Sequence, residues 1–217
     1  MKDHITSQGG RFIAGETMEW FGAEHHLEKR AVSQKVADAI RAAVTRRMDH
    51  AAAAGIDLIG NNPGPTNIAA GLTTLEEKSL GAVKKTGTGP IVGLVEHGQA
   101  PDGPGCWLMD QPFYAPESLS GLVAAGAQMV LFTTGPGNSF CSLLAPTVKI
   151  SANVDTCARL PEQIDFDATG ILLGAQSLAE AAEALTAHIL QTASGALTFG
   201  EILSEGEEVI SRVGASL

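Results

Sequence analysis

The sequence predicts an α/β domain with a mainly parallel sheet and a helical C-terminal tail. Three observations carry that expectation. The short apolar runs Ile91–Val95, Cys106–Met109 and Met129–Phe132 are continuous rather than alternating, which suits parallel strands covered on both faces. Longer segments repeat apolar residues at helical spacing. Gly and Pro, 25 and 10 in number, gather at Gly60–Gly71, Gly98–Gly105, Gln111–Pro116 and Gly135–Gly137 instead of spreading evenly.

In chain order, His25–Ala54 is predicted as one long helix, because Val32, Val36, Ile40 and Val44 recur every four residues. Thr73 and Glu76 have capping-box spacing and open a helix that reaches Lys85. Strands Ile91–Val95 and Cys106–Met109 follow. Pro116 suits the first turn of the next helix and Gly126 a tight exit from it. Cys106–Met109, that helix and Met129–Phe132 therefore make a candidate βαβ unit. Thr147–Ile150 is a further candidate strand. Ser177 with Glu180, and Thr198 with Glu201, repeat the capping signal for two C-terminal helices. In the first of these, Leu178, Ala182, Leu185 and Ile189 make one apolar stripe. No internal repeat, low-complexity tract or linker divides the chain. The expectation is a single three-layer, Rossmann-like domain over residues 1–217.

Composition excludes several classes of function. With 14 basic against 24 acidic residues, a net charge of −10, the chain lacks the basic footprint of a nonspecific nucleic-acid binder. Nothing approaches the roughly 18 continuous apolar residues of a membrane helix, and Met1–Phe12 is too polar for a signal peptide. Cys106, Cys141 and Cys157 are odd in number and lack CxxC spacing, which fits a reducing compartment. A cytoplasmic protein with neither nucleic-acid nor membrane partners is expected.

Three Gly/Pro-rich loops follow predicted strands directly: His97–Gly105, Asp110–Pro116 and Thr133–Ser139. If the strands are parallel neighbours, the loops share one rim at the carboxyl ends, where such sheets bind ligands. Asp110, Thr133, Thr134 and Asn138 would then surround a small polar molecule. The stretch through Gly135 and Gly137 either presents backbone N–H groups to an anion or is a tight strand exit. With no Walker A loop and no GxGxxG, nucleotide binding has no motif support. The Asn61–Asn67 loop, stiffened by Pro63 and Pro65, suits holding hydroxyls or a carboxylate through Asn62 and Asn67; a plain turn between helices reads the same way. Glu16, Glu19, Glu24, His25 and His26 form the densest acid–histidine group. Carboxylate with imidazole suits a divalent metal or a general base, yet acidic residues at a helix start also simply complement its dipole. His97, after Glu96, is the one isolated histidine opening a rim loop.

These residues also carry a family likeness. Gly15-Glu16-Thr17, Gly22-Ala23-Glu24-His25, Arg30-Ala31-Val32-Ser33, Asn62-Pro63, Pro65, Asn67 and the block Leu72–Gly81 resemble the C-terminal region of the altronate/galactarate dehydratase family. Met109-Asp110, Pro112, Pro116-Glu117-Ser118, Phe132-Thr133-Thr134-Gly135, Ala145-Pro146-Thr147 and Ala193-Ser194-Gly195 continue the match. The resemblance implies a hydro-lyase that removes the proton alpha to a carboxylate, expels the beta-hydroxyl and yields a 2-keto-3-deoxy acid. It also implies a divalent metal, Fe(II) or Mn(II), to stabilise the developing enediolate. Glu24, His25 and Asp110 are the catalytic candidates, with Glu24 and His25 also the candidate metal ligands; acid, base and ligand are not assigned individually. Asn62, Asn67, Thr133, Thr134, Gly135 and Gly137 would hold a hydroxy-acid substrate.

Two departures qualify that expectation. Ile68 and Pro136 stand where the family carries lysine and arginine, and Phe113 and Ala115 where glycine and aspartate are usual. Neither Ile68 nor Pro136 can supply charge to a substrate carboxylate. The family region also extends upstream, so a partner domain or subunit supplying the remainder is expected, and a homo-oligomer is compatible with this reading. The alternative is a noncatalytic binding or assembly domain that keeps the fold without the charged clamp.

Overall fold

In the computed structural model every strand pairing among the described residues is parallel. The structure describes residues 1–56, 63–69 and 71–209. Strands β1 (Arg11–Ala14), β2 (Ile91–Glu96) and β3 (Gly105–Asp110) form one sheet in the order β1-β3-β2. Strands β4 (Val130–Thr133), β5 (Thr147–Ser151) and β6 (Phe166–Asp167) form another in the order β4-β5-β6. The α/β class and the parallel strands expected from the sequence are therefore present, in two sheets rather than one. These sheets lie in separate compact units, Lys2–Ala125 and Gly126–Val209.

The candidate βαβ unit is corrected by this pairing. Helix α6 (Ala115–Ala124), with Pro in its first turn, does link β3 to β4, but the two strands belong to different sheets. Strand β3 pairs instead with β1 and β2. The β2–β3 link is short for a parallel crossover and carries no helix. It is pinned by Gly105 N–H donating to the Gly10 carbonyl at 3.0 Å and by the Arg11 guanidinium donating to the Pro101 carbonyl at 3.3 Å.

Strand β3 alternates across its sheet. Cys106 and Leu108 join a cluster with Met18, Trp20, Phe21, Leu27, Ile40 and Val44. Met109 packs with Val95 and Ala125, and Trp107 and Leu122 adjoin them. The first cluster draws on a 3₁₀ turn at Thr17–Trp20 and on helices α2 (Glu24–Glu28), α3 (Gln34–Ala53) and α5 (Leu75–Lys85). Withdrawing a side chain such as Leu108 fully from water stabilises the fold by about 1.5–3 kcal/mol.

The long helix expected over His25–Ala54 is two helices, α2 and α3. The chain between them turns to the sheet: Ile91 N–H donates to the Arg30 carbonyl at 2.9 Å and Val32 N–H donates to the Ile91 carbonyl at 3.0 Å. Backbone pairing at the edge of β2 thus replaces helical bonds. Ser33 then restarts the helix, its hydroxyl accepting from Val36 N–H at 3.4 Å. Val32 consequently stands exposed instead of in the apolar stripe. Helix α5 begins one residue later than Thr73 and Glu76 imply: Thr74 is the cap and accepts from Glu77 N–H at 3.2 Å, while the Glu77 carboxylate accepts from Thr73 N–H at 2.9 Å. Helices α1 (Lys2–Ser7) and α4 (Pro65–Ala69) complete the first unit.

The second unit adds α7 (Val154–Arg159), α8 (Thr169–Leu172), α9 (Leu178–Ala193) and α10 (Phe199–Ile202). Both predicted capping boxes are formed, Ser177 with Glu180 on α9 and Thr198 with Glu201 on α10. Leu178 is exposed and leaves the proposed stripe; Ala181 and Thr192 are the buried residues of α9. The Asp165 carboxylate ties β5 to α10, accepting from Lys149 N–H and from Phe199 N–H, each at 2.7 Å. The Lys149 side chain is buried, and its ammonium donates to the Ser139 carbonyl at 3.1 Å. Among the described residues no helix is long and apolar enough to cross a membrane.

Candidate functional site

The carboxyl ends of β1, β3 and β2 bring together residues that are distant in sequence. Strand β1 ends at Ala14, and the chain turns through Gly15 into the 3₁₀ segment. A Cβ at position 15 would overlap the side-chain amide of Gln111, so glycine lets the ends of β1 and β3 approach. Thr17 joins them twice. Its hydroxyl donates to Asp110 Oδ1 at 2.9 Å and accepts from Gln111 N–H at 3.1 Å. Asp110, the last residue of β3, is buried, and α3 sends two consecutive arginines to it. Arg47 Nε donates to Oδ1 at 2.9 Å and an Arg46 terminal nitrogen donates to Oδ2 at 2.7 Å. Glu96, the register partner of Asp110 on β2, lies 3.8 Å from Arg46. Gln111 is fully buried; Nε2 donates to the Ser118 hydroxyl at 2.5 Å, and Oε1 has no partner.

A second ionisable group adjoins the turn after β1. Glu16 holds a left-handed backbone, φ +67°, unusual for a residue with a Cβ. Its carboxyl hydrogen-bonds Glu19. Burial, and then the charge on Glu19, push the Glu16 carboxyl up to about 8. Burial alone would raise Glu19 too, but Lys85 and Lys78 overcome it and hold that carboxylate down at about 2. Lys78 Nζ is 2.9 Å from Glu19 Oε1 and Lys85 Nζ 3.4 Å from Oε2. The Leu72–Gly81 block singled out in the sequence is the start of α5, and it delivers Lys78 to this pair.

The other expected site residues are placed as follows. Glu24 is the first residue of α2; its Oε2 is buried and has no hydrogen-bond partner. His25 is exposed, with its ring centroid 4.1 Å from that of His26. No hydrogen bond or ion pair among the described residues joins either of them to Asp110. Asn62 lies outside the described residues. Asn67 lies in α4 and its Oδ1 accepts from Gly64 N–H at 3.1 Å, a local turn contact. Thr133, Thr134, Gly135 and Gly137 belong to the second unit, at the exit of β4. There the Thr134 hydroxyl accepts from Gly137 N–H at 3.1 Å and the Gly135 carbonyl accepts from the Thr156 hydroxyl at 2.6 Å. A Cβ at Gly137 would meet Leu160 at 2.5 Å, and φ is +93°. Much of that loop's polar capacity is spent on its own geometry. The His97 ring packs against Gly121 of α6.

Metal chemistry was the implied role of Glu24 and His25. Among the described residues no group of three or more His, Cys, Asp or Glu side chains converges as a metal site requires. Glu24 and His25 thus make an incomplete set. Sequence reasoning missed Arg46 and Arg47 altogether, and saw Thr17 and Glu16 only in the Gly15-Glu16-Thr17 motif and, for Glu16, in the acid–histidine group, without a role for either. The adjacent arginines at the C-terminal half of an amphipathic helix, two positions past Val44, were the available signal.

Strand ends lined by paired ionisable side chains are where parallel α/β proteins bind small polar ligands. Residues 1–216 match the family model described as D-galactarate/altronate dehydratase, C-terminal, and the chain belongs to that family. It is 34% identical over 215 residues to (2R)-sulfolactate sulfo-lyase subunit beta of Chromohalobacter salexigens, covering 97% of this chain and 55% of that protein. It is 32% identical over 219 residues to altronate dehydratase of Escherichia coli, covering 99% and 43%. With altronate dehydratase of Bacillus subtilis it shares 36% over 170 residues, covering 76% and 33%. The resemblance read from the motifs is confirmed, and these relatives are by name one sulfo-lyase subunit and two dehydratases. The chain spans about half or less of the length of the curated relatives it matches.

Proposed function

We propose that the chain is the part of a lyase that supplies proton-transfer groups for elimination from a small hydroxy acid. The observation that supports this reading best is the Glu16–Glu19 pair, two bonded carboxyls driven to opposite protonation states. Such an elimination takes a proton from the carbon alpha to a carboxylate and gives one to the group leaving from the beta carbon. Glu16, which keeps its proton to about pH 8, is the donor in this scheme: it would protonate a beta-hydroxyl that departs as water. Glu19, pinned by Lys78 and Lys85, fixes the donor. Glu24, with its unpartnered Oε2, is the candidate base or metal ligand. Asp110, whose oxygens both accept bonds, positions the arginines. The enol left behind would rearrange to a 2-keto-3-deoxy acid. Fe(II) or Mn(II) remains an expectation of this reading, with the donors beyond Glu24 and His25 coming from outside the described residues. A partner domain or subunit and a cytoplasmic setting belong to the same reading.

The test is an assay of the chain with altronate, galactarate and (2R)-sulfolactate. It is run with and without Fe(II) or Mn(II), alone and with the relatives' remaining region supplied as a second polypeptide. Product is followed as keto acid, or as sulfite. Turnover of one of these acids is expected, with Glu16→Gln lowering kcat by about 10²–10⁴-fold. No product in any mixture would sink the reading in favour of a noncatalytic binding or assembly domain. The exposed, uncharged Ile68 is the feature that favours that second reading.

A further inference from the structure

We propose that Arg46 and Arg47 form an oxyanion clamp at the carboxyl ends of β2 and β3, taking the carboxylate or sulfonate of a small acid. The clamp rests on the lyase reading for the nature of the rest of the ligand, not for the anion itself.

The argument is one of charge and exposure. Asp110 is a single carboxylate with its side chain only 6% exposed, and it needs a counter-ion to remain buried. Arg47, 16% exposed and bonded through Nε to Oδ1, supplies one. Arg46 is a second guanidinium on the same carboxylate, and its side chain is 53% exposed. Among the described residues its guanidinium makes one hydrogen bond, from a terminal nitrogen to Oδ2. The neighbouring Glu96 does not cancel it. That contact is 3.8 Å long and Glu96 is 72% exposed, so solvent screens the pair.

Consecutive helix positions point about 100° apart, yet Arg46 and Arg47 of α3 both reach the Asp110 carboxylate at the end of β3. Asp110 and Glu96 are the final residues of adjacent parallel strands in matched register, the rim at which ligands enter such sheets. A guanidinium held by one edge presents two parallel donors to a carboxylate or sulfonate, which an ammonium cannot do. Lys78 and Lys85 are engaged with Glu19, so among the described residues α3 brings the positive charge that faces Asp110. An arriving anion would take the place of the loosely held Glu96 and leave the Arg47–Asp110 bond intact.

The test is calorimetric titration of the full chain at low salt with three probes: malonate, 3-sulfolactate and neutral malonamide. Both anions are expected to bind at least about tenfold more tightly than malonamide. Arg46→Gln should weaken both by about tenfold or more, with its unfolding midpoint little changed. Glu96→Gln should tighten both by removing a competing carboxylate. Unchanged affinity in Arg46→Gln, equal binding of malonamide, or no anion binding to the wild-type chain would each overturn the clamp. The two readings fail separately. Anion binding through Arg46 without any turnover leaves the clamp and removes the lyase; turnover indifferent to Arg46→Gln leaves the lyase and removes the clamp.

Discussion

Glu16 combines two costs that one residue rarely carries together, a left-handed backbone and a buried acid, and the second has a measurable sign. Its carboxyl titrates near 4.5 when unfolded and about 8 when folded, raised by burial and by Glu19. Below 4.5 both states hold the proton and the group contributes nothing to the pH dependence. Between 4.5 and 8 the unfolded chain ionises while the folded one does not, so stability falls as pH rises; above 8 the loss is complete. Glu19 runs the other way: its folded value near 2 gives stability that is present above 4.5 and is lost as pH falls toward 2. Urea unfolding across this range should therefore show Glu16→Gln gaining stability relative to wild type from pH 4.5 to 8, with no further gain beyond. Parallel curves for the two proteins would mean that the Glu16 carboxyl is not buried as described.

Helix α5 shows why local signals are legible and where they stop. The Thr-rich start and the Glu at the third turn position were readable, because a cap acts within four residues; only the choice between Thr73 and Thr74 slipped. Both C-terminal capping boxes and the runs that became β2, β3, β4 and β5 were readable for the same reason. Strands β1 and β6 were not: β1 opens on Arg11 and is too short and mixed to read as a continuous apolar run, and β6 has only two residues. The break between α2 and α3 was hidden because Val32 kept the helical spacing while its backbone bonded Ile91, a partner the sequence does not point to. The arginines at Asp110 were missed likewise: their partner is more than sixty residues away along the chain. Since α5 carries Lys78 and Lys85, its cap has a consequence beyond the helix. Thr74→Ala should cost about 1 kcal/mol in thermal or urea unfolding. Frayed lysines would also raise the Glu19 carboxyl, visible as a higher acid midpoint; a change in neither would show that α5 is held by packing alone.

At the scale of the whole molecule, the decisive fact is that the six parallel strands of the described residues divide between two sheets, each with its own unit. The rim that carries Glu16, Asp110 and the arginines belongs to Lys2–Ala125, and the β4 exit loop to Gly126–Val209. A local opening exposes only the amides whose packing it removes, so two compact units are expected to respond separately to a lesion in one of them. Leu108 lies on β3, fully buried among Trp20, Phe21 and Ile40. Truncating a buried leucine to alanine costs about 2–5 kcal/mol where the cavity cannot collapse. Hydrogen exchange of Leu108→Ala should therefore quicken throughout β1, β2, β3 and α3 while protection in β5 and α9 stays near wild type. Equal loss in both sets would mean that the chain opens as one cooperative body, and the division of its sheets would then describe geometry without independent stability.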